Sequence, residues 1–281
     1  MKGKGELVLI ALLIVIAAVA ALYPILSGMQ HARIQRQMLK DYTASLQSIP
    51  EDTIDREWKQ ARAYNRSLAQ SYIRITDPFD GKVHASYRKN YDKLLNVSGN
   101  GMMGYIEIPK INLKLSIMHG IDDETLLNSA GHLPGTSLPV GGKNSHAVLS
   151  AHRGLPSAKL FTDLDQLQEN DIFMIHVLDK VLYYKVVQVK VVEPENTDDL
   201  TIVEGKDYVT LVTCTPYAVN SHRLLVRGER TEKPPDSDLF AGFSIINFFR
   251  LHFYGTSVAV ITIGSIFAFV QILRKPRKTN S

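Results

Sequence analysis

Two charge-free apolar stretches, residues 7–26 and 254–273, are the longest hydrophobic runs in the sequence. Each has about the 20 residues that a helix needs to cross the hydrocarbon layer of a membrane. Lysines precede the first stretch and a basic cluster, residues 274–278, follows the second. Because positive residues beside a span stay on the cytoplasmic side, we expect both ends inside and the middle outside. Residues 18–20, Ala-Val-Ala, also resemble a signal-peptide cleavage site, so the first stretch is either a retained anchor or a cleaved signal.

Residues 29–75 repeat apolar positions at steps of three and four, which predicts helix. The stripe consists of Ile54, Trp58, Ala61, Asn65, Leu68, Tyr72 and Ile75. Pro50 followed by Glu51 is typical of a helix start, because proline suits the first turn and an acid suits the positive end of the helix dipole. We expect this stripe to pack against the rest of the domain.

From residue 104 onward, apolar residues occur in short, mostly alternating runs separated by Gly, Pro, Asn and Asp. The predicted strands are 105–108, 113–117, 147–150, 172–175, 182–189, 209–212 and 224–226. Many short strands with little helix between them predict an antiparallel barrel or sandwich. The polar, proline-containing segment 233–238 is typical of a linker.

Composition narrows the possibilities mainly by exclusion. With 281 residues, 45% of them apolar, the chain can bury a core and is neither disordered nor collagen-like. A net charge of +4 is too small to indicate nucleic-acid binding. The single cysteine, Cys214, excludes an internal disulfide and a multi-cysteine zinc site, and we expect no metal and no cofactor.

Cys214 lies at the end of a predicted strand, and Arg223 opens the next one nine residues later. A hairpin would make the two residues neighbours, and a permanently charged guanidinium favours a thiolate or an oxyanion. The simpler alternatives are a buried apolar cysteine and a surface arginine.

Nine histidines are available as a partner for the thiol. His152 ends an alternating run and precedes Arg153 and Gly154, which is a plausible active-site position. Spacing alone leaves other histidines open, namely His84, His119, His132, His146 and His176. His222 alternates to the face opposite Arg223, so we interpret it as structural.

Four segments together resemble sortases over roughly residues 40 to 230. They are TLVTC at 210–214 with Arg223 after it, SAHRG at 150–154, GHLPGTS at 131–137, and FTDL at 161–164. The resemblance implies a mainly β fold, an eight-stranded β-barrel with N-terminal helices, here flanked by two transmembrane helices. It also implies that His152, Cys214 and Arg223 are the catalytic residues.

Two further features resemble the pilus-assembling class C sortases of Gram-positive bacteria: the second apolar stretch and the sequence TDPFDGK at 76–82. In that class the segment is a lid over the resting site, which implies that Asp77 pairs with Arg223 and that Phe79 stacks over Cys214. The alternative is an ordinary Asp-Pro and Asp-Gly turn.

The resemblance divides the sequence into seven parts. They are an N-terminal signal-anchor segment (1–28), helices (29–75), a lid (76–82), a catalytic β-barrel (83–230), a linker (231–253), a C-terminal transmembrane helix (254–273) and a basic cytoplasmic tail (274–281). With the charges beside the two apolar stretches, it locates the protein in the cell membrane with its catalytic domain outside.

The implied function is a cysteine transpeptidase that cleaves an LPxTG-type sorting signal in pilins or other surface proteins. Through a Cys214 acyl-enzyme, it joins pilins by a lysine isopeptide bond. The alternatives are a housekeeping sortase that attaches proteins to the cell wall, another extracellular cysteine peptidase, and a membrane-tethered binding barrel without catalysis.

Overall fold

Eight strands form a closed barrel in the order β1-β2-β3-β4-β7-β8-β6-β5, within a computed structural model that describes residues 2–71, 75–80 and 90–235. Their bounds are Met102–Ile108 (β1), Leu113–His119 (β2), Ala130–His132 (β3), Ser145–Ser150 (β4), Ile172–Val177 (β5), Lys180–Val192 (β6), Asp207–Thr215 (β7) and His222–Thr231 (β8). This confirms the mainly β, eight-stranded expectation.

The barrel differs from the sequence prediction in two respects. β2–β3 and β4–β7 are parallel pairs, whereas the pattern of short strands predicted antiparallel pairing throughout. β3 was not predicted, because its three residues are all buried and too few to display an alternation. The parallel β4–β7 pair matters for the site, since it joins two segments that are far apart in the sequence.

Three α-helices accompany the barrel: Lys2–Ser48 (α1), Glu51–Ala69 (α2) and Asp123–Asn128 (α3). Short 3-10 turns cover Tyr91–Lys93, Pro109–Ile111, Leu164–Gln166 and Asp198–Leu200. α2 begins at Glu51, directly after Pro50, as the helix-start pattern predicted. The predicted helical range 29–75 was wrong at its C-terminal bound, because α2 ends at Ala69. Ile75 is not helical, and neither is Asp77, whose position before Pro78 disfavours helical backbone angles.

Alternation along the strands separates two apolar clusters. Inward residues such as Ala147, Leu211 and Leu224 join the main core with the buried face of α2. Their outward neighbours form a second cluster on the other side of the same strands, which we call the outer patch. It contains Ile121, Leu126, Leu133, Val148, Val192, Leu200, Val212 and Leu225.

α2 is fixed to the barrel through Trp58, whose side chain is only 4% exposed. The indole Nε1–H donates to the Asp179 carboxylate at 2.6 Å, and the cations of Arg62 and Lys180 lie 5.0 and 4.8 Å from the ring centroid. The predicted stripe is thus a packing face: Ile54, Trp58, Ala61, Asn65 and Leu68 are buried.

The described chain forms two compact units, one up to Gln30 and one from His31 onward. Within the described residues, one helical stretch, Leu9–Ser48 of α1, is long and apolar enough to cross a membrane. Its side chains Leu12, Leu13 and Ile16 are 55–56% exposed, unlike those of a core helix. The predicted second span 254–273, the tail 274–281 and most of the linker 231–253 lie outside the described residues.

Candidate active site

Strand pairing places the predicted nucleophile beside the predicted arginine. In the antiparallel β7–β8 pair, Cys214 is directly opposite Arg223. Two residues earlier on β7, Val212 belongs to the outer patch, as does its partner Leu225 on β8. Because side chains two residues apart point to the same face, Cys214 and Arg223 also lie on the outer face. The prediction that a hairpin makes them neighbours is confirmed.

His152 reaches the same place from the other side of β7. The parallel β4–β7 register ends with Ser150 opposite Val212. Two bonds continue this alignment: the Ala151 N–H donates to the Val212 carbonyl at 3.2 Å, and the Thr213 hydroxyl donates to the Ala151 carbonyl at 2.8 Å. The next pair along this alignment is His152 and Cys214. The thiol therefore lies on a central strand with the imidazole on one side and the guanidinium on the other.

The segment after α2 covers this site through a bidentate ion pair. Arg223 donates from Nε to Asp77 Oδ1 at 2.8 Å and from Nη2 to Asp77 Oδ2 at 2.6 Å. Asp77 and Arg223 are only 8% and 9% exposed. Nη1 of Arg223 donates to the carbonyls of Asn220 and His222, which holds the guanidinium in place. In this state the arginine is occupied by the chain's own carboxylate.

Phe79 completes the cover. Its ring lies 5.6 Å from the His152 ring, and the Arg223 guanidinium carbon lies 5.2 Å from the Phe79 centroid. The resemblance implied stacking over Cys214, whereas the ring contacts found are with the two residues that flank Cys214. Ile75 and Phe79 both pack against the outer patch, and the Thr197 hydroxyl donates to the Ile75 carbonyl at 3.0 Å. Of the predicted lid 76–82, residues 81 and 82 lie outside the described residues, and from here on we call residues 75–80 the lid.

Under the lid, the site favours the uncharged forms of the Cys214 thiol and the His152 imidazole. Burial raises the pKa of the Cys214 thiol; Arg223 opposes this effect and Asp77 adds to it. Burial lowers the pKa of His152, with partial opposition from Asp123. Burial also acts to lower the pKa of Arg223, but the Asp77 hydrogen bonds outweigh it and raise that pKa. The covered site therefore favours a neutral thiol and a neutral imidazole.

The other described histidines have structural partners. His132 contacts the Tyr91 hydroxyl and the Ser137 carbonyl, and burial lowers its pKa to about 4. His146 contacts the Thr201 carbonyl and the Thr210 hydroxyl, and burial likewise lowers its pKa to about 4. Hydrogen bonds also occupy the rings of His119, His176 and His222. Of the histidines in the described residues, His152 alone has no side-chain hydrogen bond to another described residue. His84 lies outside them.

Arg153, which sequence reasoning did not single out, connects the segment after β4 to the end of β7. It donates to the Thr215 hydroxyl at 3.3 Å and forms an ion pair with Asp165. The next residue, Gly154, has φ +80°, and a Cβ there would lie 2.8 Å from the Tyr217 ring. The positive φ favours glycine at this position, next to the Tyr217 ring of the β7–β8 loop.

Within the described residues, no group of three or more His, Cys, Asp or Glu side chains could hold a metal ion. The chemistry available at this site is that of a thiol, an imidazole and a guanidinium. Together they can form a covalent acyl intermediate, transfer a proton and stabilise an oxyanion.

Sequence and structure comparisons identify the family. The sortase domain model matches residues 106–231. Sortase C-1 from Streptococcus pneumoniae is 45% identical, with a TM-score of 0.65 over 70% of this chain and 100% of that one. Sortase C-1 from Actinomyces oris is 44% identical, with a TM-score of 0.60 over 64% of this chain and 99% of that one.

Curated relatives are more distant. Sortase D of Bacillus subtilis is 29% identical over 45% of this chain and 63% of its own length. For the first curated relatives the chain thus spans 52–63% of their length. The solved structures are matched over nearly their whole length, and at 41–45% identity they are class C sortases. The chain belongs to the sortase family of cysteine transpeptidases, and its relatives at that identity are of class C.

Proposed function

We propose that this protein cleaves an LPxTG-type sorting signal in pilin subunits and joins the subunits by lysine isopeptide bonds. The observation that carries this proposal is the position of Cys214 on β7, between His152 and Arg223 and under the Asp77–Phe79 lid. One solved relative, from Streptococcus pneumoniae, is described in terms of pilin substrate specificity, and another belongs to a GBS pilus island.

In the first half-reaction, the Cys214 thiolate attacks the carbonyl carbon of the Thr–Gly bond. Arg223, released from Asp77, stabilises the oxyanion. Protonated His152 gives its proton to the departing glycine amine, and a Thr–Cys214 thioester remains.

In the second half-reaction, the neutral ε-amine of a lysine on the next pilin attacks the thioester. His152 takes the amine proton, and the Cys214 thiolate leaves. The product is a Thr–Lys isopeptide bond, and the thiolate–imidazolium pair is restored. Glycine amine is released for each lysine joined, so no external energy source enters the balance.

We infer that the resting enzyme with the lid closed and the active enzyme also differ in the position of one proton. With the lid closed, the proton is favoured on Cys214; the first half-reaction requires it on His152. Displacing Asp77 removes a negative charge that raises the pKa of the thiol and frees Arg223, which lowers it. Lid opening therefore exposes the site and favours the ion pair that reacts.

We further propose that the protein is a multi-pass membrane protein with its barrel outside the cell. The exposed apolar part of α1 supports the first anchor. The second anchor, residues 254–273, rests on sequence alone.

The test is the product formed from purified pilin carrying its sorting signal. We expect the native enzyme to produce a covalent ladder of pilins and the Cys214→Ala variant to produce none. The variant should keep the melting temperature of the native protein. Reaction only with a small wall-type amine would indicate a housekeeping sortase, and hydrolysed monomer alone would indicate a peptidase. Ladder formation by Cys214→Ala would contradict the proposal.

A further inference from the structure

The side-chain hydroxyl of Ser150, on β4, is buried without a hydrogen bond. Ser150 is 0% exposed, and its Oγ has no partner among the described residues. It lies on β4 between Val148 and His152, two residues from each, so alternation directs it to the outer face with them. Its strand partner is Val212, a member of the outer patch.

An unsatisfied buried hydroxyl carries a free-energy cost that alanine would avoid. If Ser150 served only to close the lid against the outer patch, an apolar side chain of similar size would serve better. A serine at this position is explained if its hydroxyl gains a hydrogen-bond partner when the lid is displaced. On the proposed function, the molecule that then occupies this face is the sorting peptide.

Ser150 has the chemistry and the location for such a partner. The Leu-Pro amide of an LPxTG signal has no N–H, so this amide offers a carbonyl acceptor and no donor. Ser150 is about 7 Å along β4 from His152, the distance of two extended residues. In an extended peptide the Pro and Leu carbonyls are two and three residues, about 7 and 10 Å, from the Thr carbonyl attacked by Cys214.

We propose that Ser150 donates a hydrogen bond to a backbone carbonyl next to the proline of the sorting signal, and that this bond forms only after the lid opens. Ser150 is thus a specificity-determining residue of the donor site. The proposal rests on the proposed function. Ser150 takes no part in acyl or proton transfer, so its loss affects peptide binding while Cys214 and His152 remain intact.

The experiment uses Asp77→Ala/Phe79→Ala as a lid-open background, in which closure no longer competes with the peptide. Cleavage of a short LPxTG peptide is measured with and without Ser150→Ala. We expect KM to rise about tenfold with kcat changed less than twofold, because a hydrogen bond of about 1.4 kcal/mol corresponds to a factor of ten. Ser150→Thr, which keeps a hydroxyl, should restore KM to within about threefold.

Ser145→Ala is the matched control, since Ser145 lies on the same strand and its hydroxyl already donates to the Gly142 carbonyl. It should leave KM unchanged. An unchanged KM in Ser150→Ala, or no rescue by threonine in a variant with native thermal stability, would overturn the Ser150 proposal. Failure of the lid-open parent to cleave the peptide would instead contradict the proposed function, so the two failures are distinguishable.

Discussion

His152 and the two buried histidines provide a test of assignment at the residue scale. His152→Ala should reduce transpeptidation by about a thousandfold, because its proton transfer to the leaving amine has no substitute. His132→Ala and His146→Ala should instead lower the melting temperature, since each ring is buried with two hydrogen bonds. Rates should be compared with melting curves for all three variants. Greater loss of activity in a stably folded His132 or His146 variant would refute the assignment of His152.

The sequence could indicate these residues but not their arrangement. The sequence predicted that Cys214 ends one strand and Arg223 begins the next. Because the loop between them is short, a hairpin that makes them neighbours could be predicted as well. By spacing alone His152 was one of several choices, and only the resemblance selected it, because its proximity to Cys214 depends on a parallel pair between segments about 60 residues apart. Ser150 gave no signal at all, since a serine in a strand has meaning only once its burial and lack of a partner are known.

At the scale of elements, the lid is the part whose effect can be measured directly. A bidentate, charge-assisted pair and a cation–π contact together contribute on the order of 3 kcal/mol, which leaves about 1% of molecules open. Asp77→Ala/Phe79→Ala should therefore raise the rate of Cys214 modification by a small thiol reagent at least tenfold. Unchanged reactivity would mean that residues 76–80 form only a turn.

The same double variant should shift the pH dependence of thiol modification. In the closed form, burial and Asp77 raise the pKa of Cys214, so the midpoint should move to lower pH when both are removed. By linkage, the thiol favours closure below its open-state pKa, and this preference is lost as pH rises through the closed-state value. Reagent rates between pH 6 and about pH 10 would reveal the shift, and a midpoint moving upward would contradict it.

The helix α2 provides a second prediction at this scale. Trp58→Ala should lower the free energy of unfolding of the barrel and α2 by about 3–5 kcal/mol. It removes a buried indole together with its hydrogen bond to Asp179. Lys59→Ala changes the exposed neighbour and serves as the control. Denaturant unfolding measures both free energies. A Trp58→Ala loss no larger than that of the control would mean that α2 does not stabilise the barrel.

At the scale of the whole molecule, the charges beside the two apolar stretches predict orientation. Lys2, Lys4 and the basic cluster at 274–278 should remain cytoplasmic, and Asp236 should be extracellular. Protease treatment of intact cells should remove the β-barrel and spare a small C-terminal fragment. If the barrel is protected in intact cells and digested only after lysis, the predicted orientation is wrong.

The barrel's strand order has a consequence for the chain before it is folded. β7 carries the nucleophile and pairs with β4 on one side and β8 on the other, so neither neighbour alone completes the site. Contacts between distant segments form late, because the intervening loop must first be closed. A newly made chain in an extended state would therefore carry a thiol without its activating groups. The arrangement of thiol, imidazole and guanidinium therefore exists only once β4, β7 and β8 have paired.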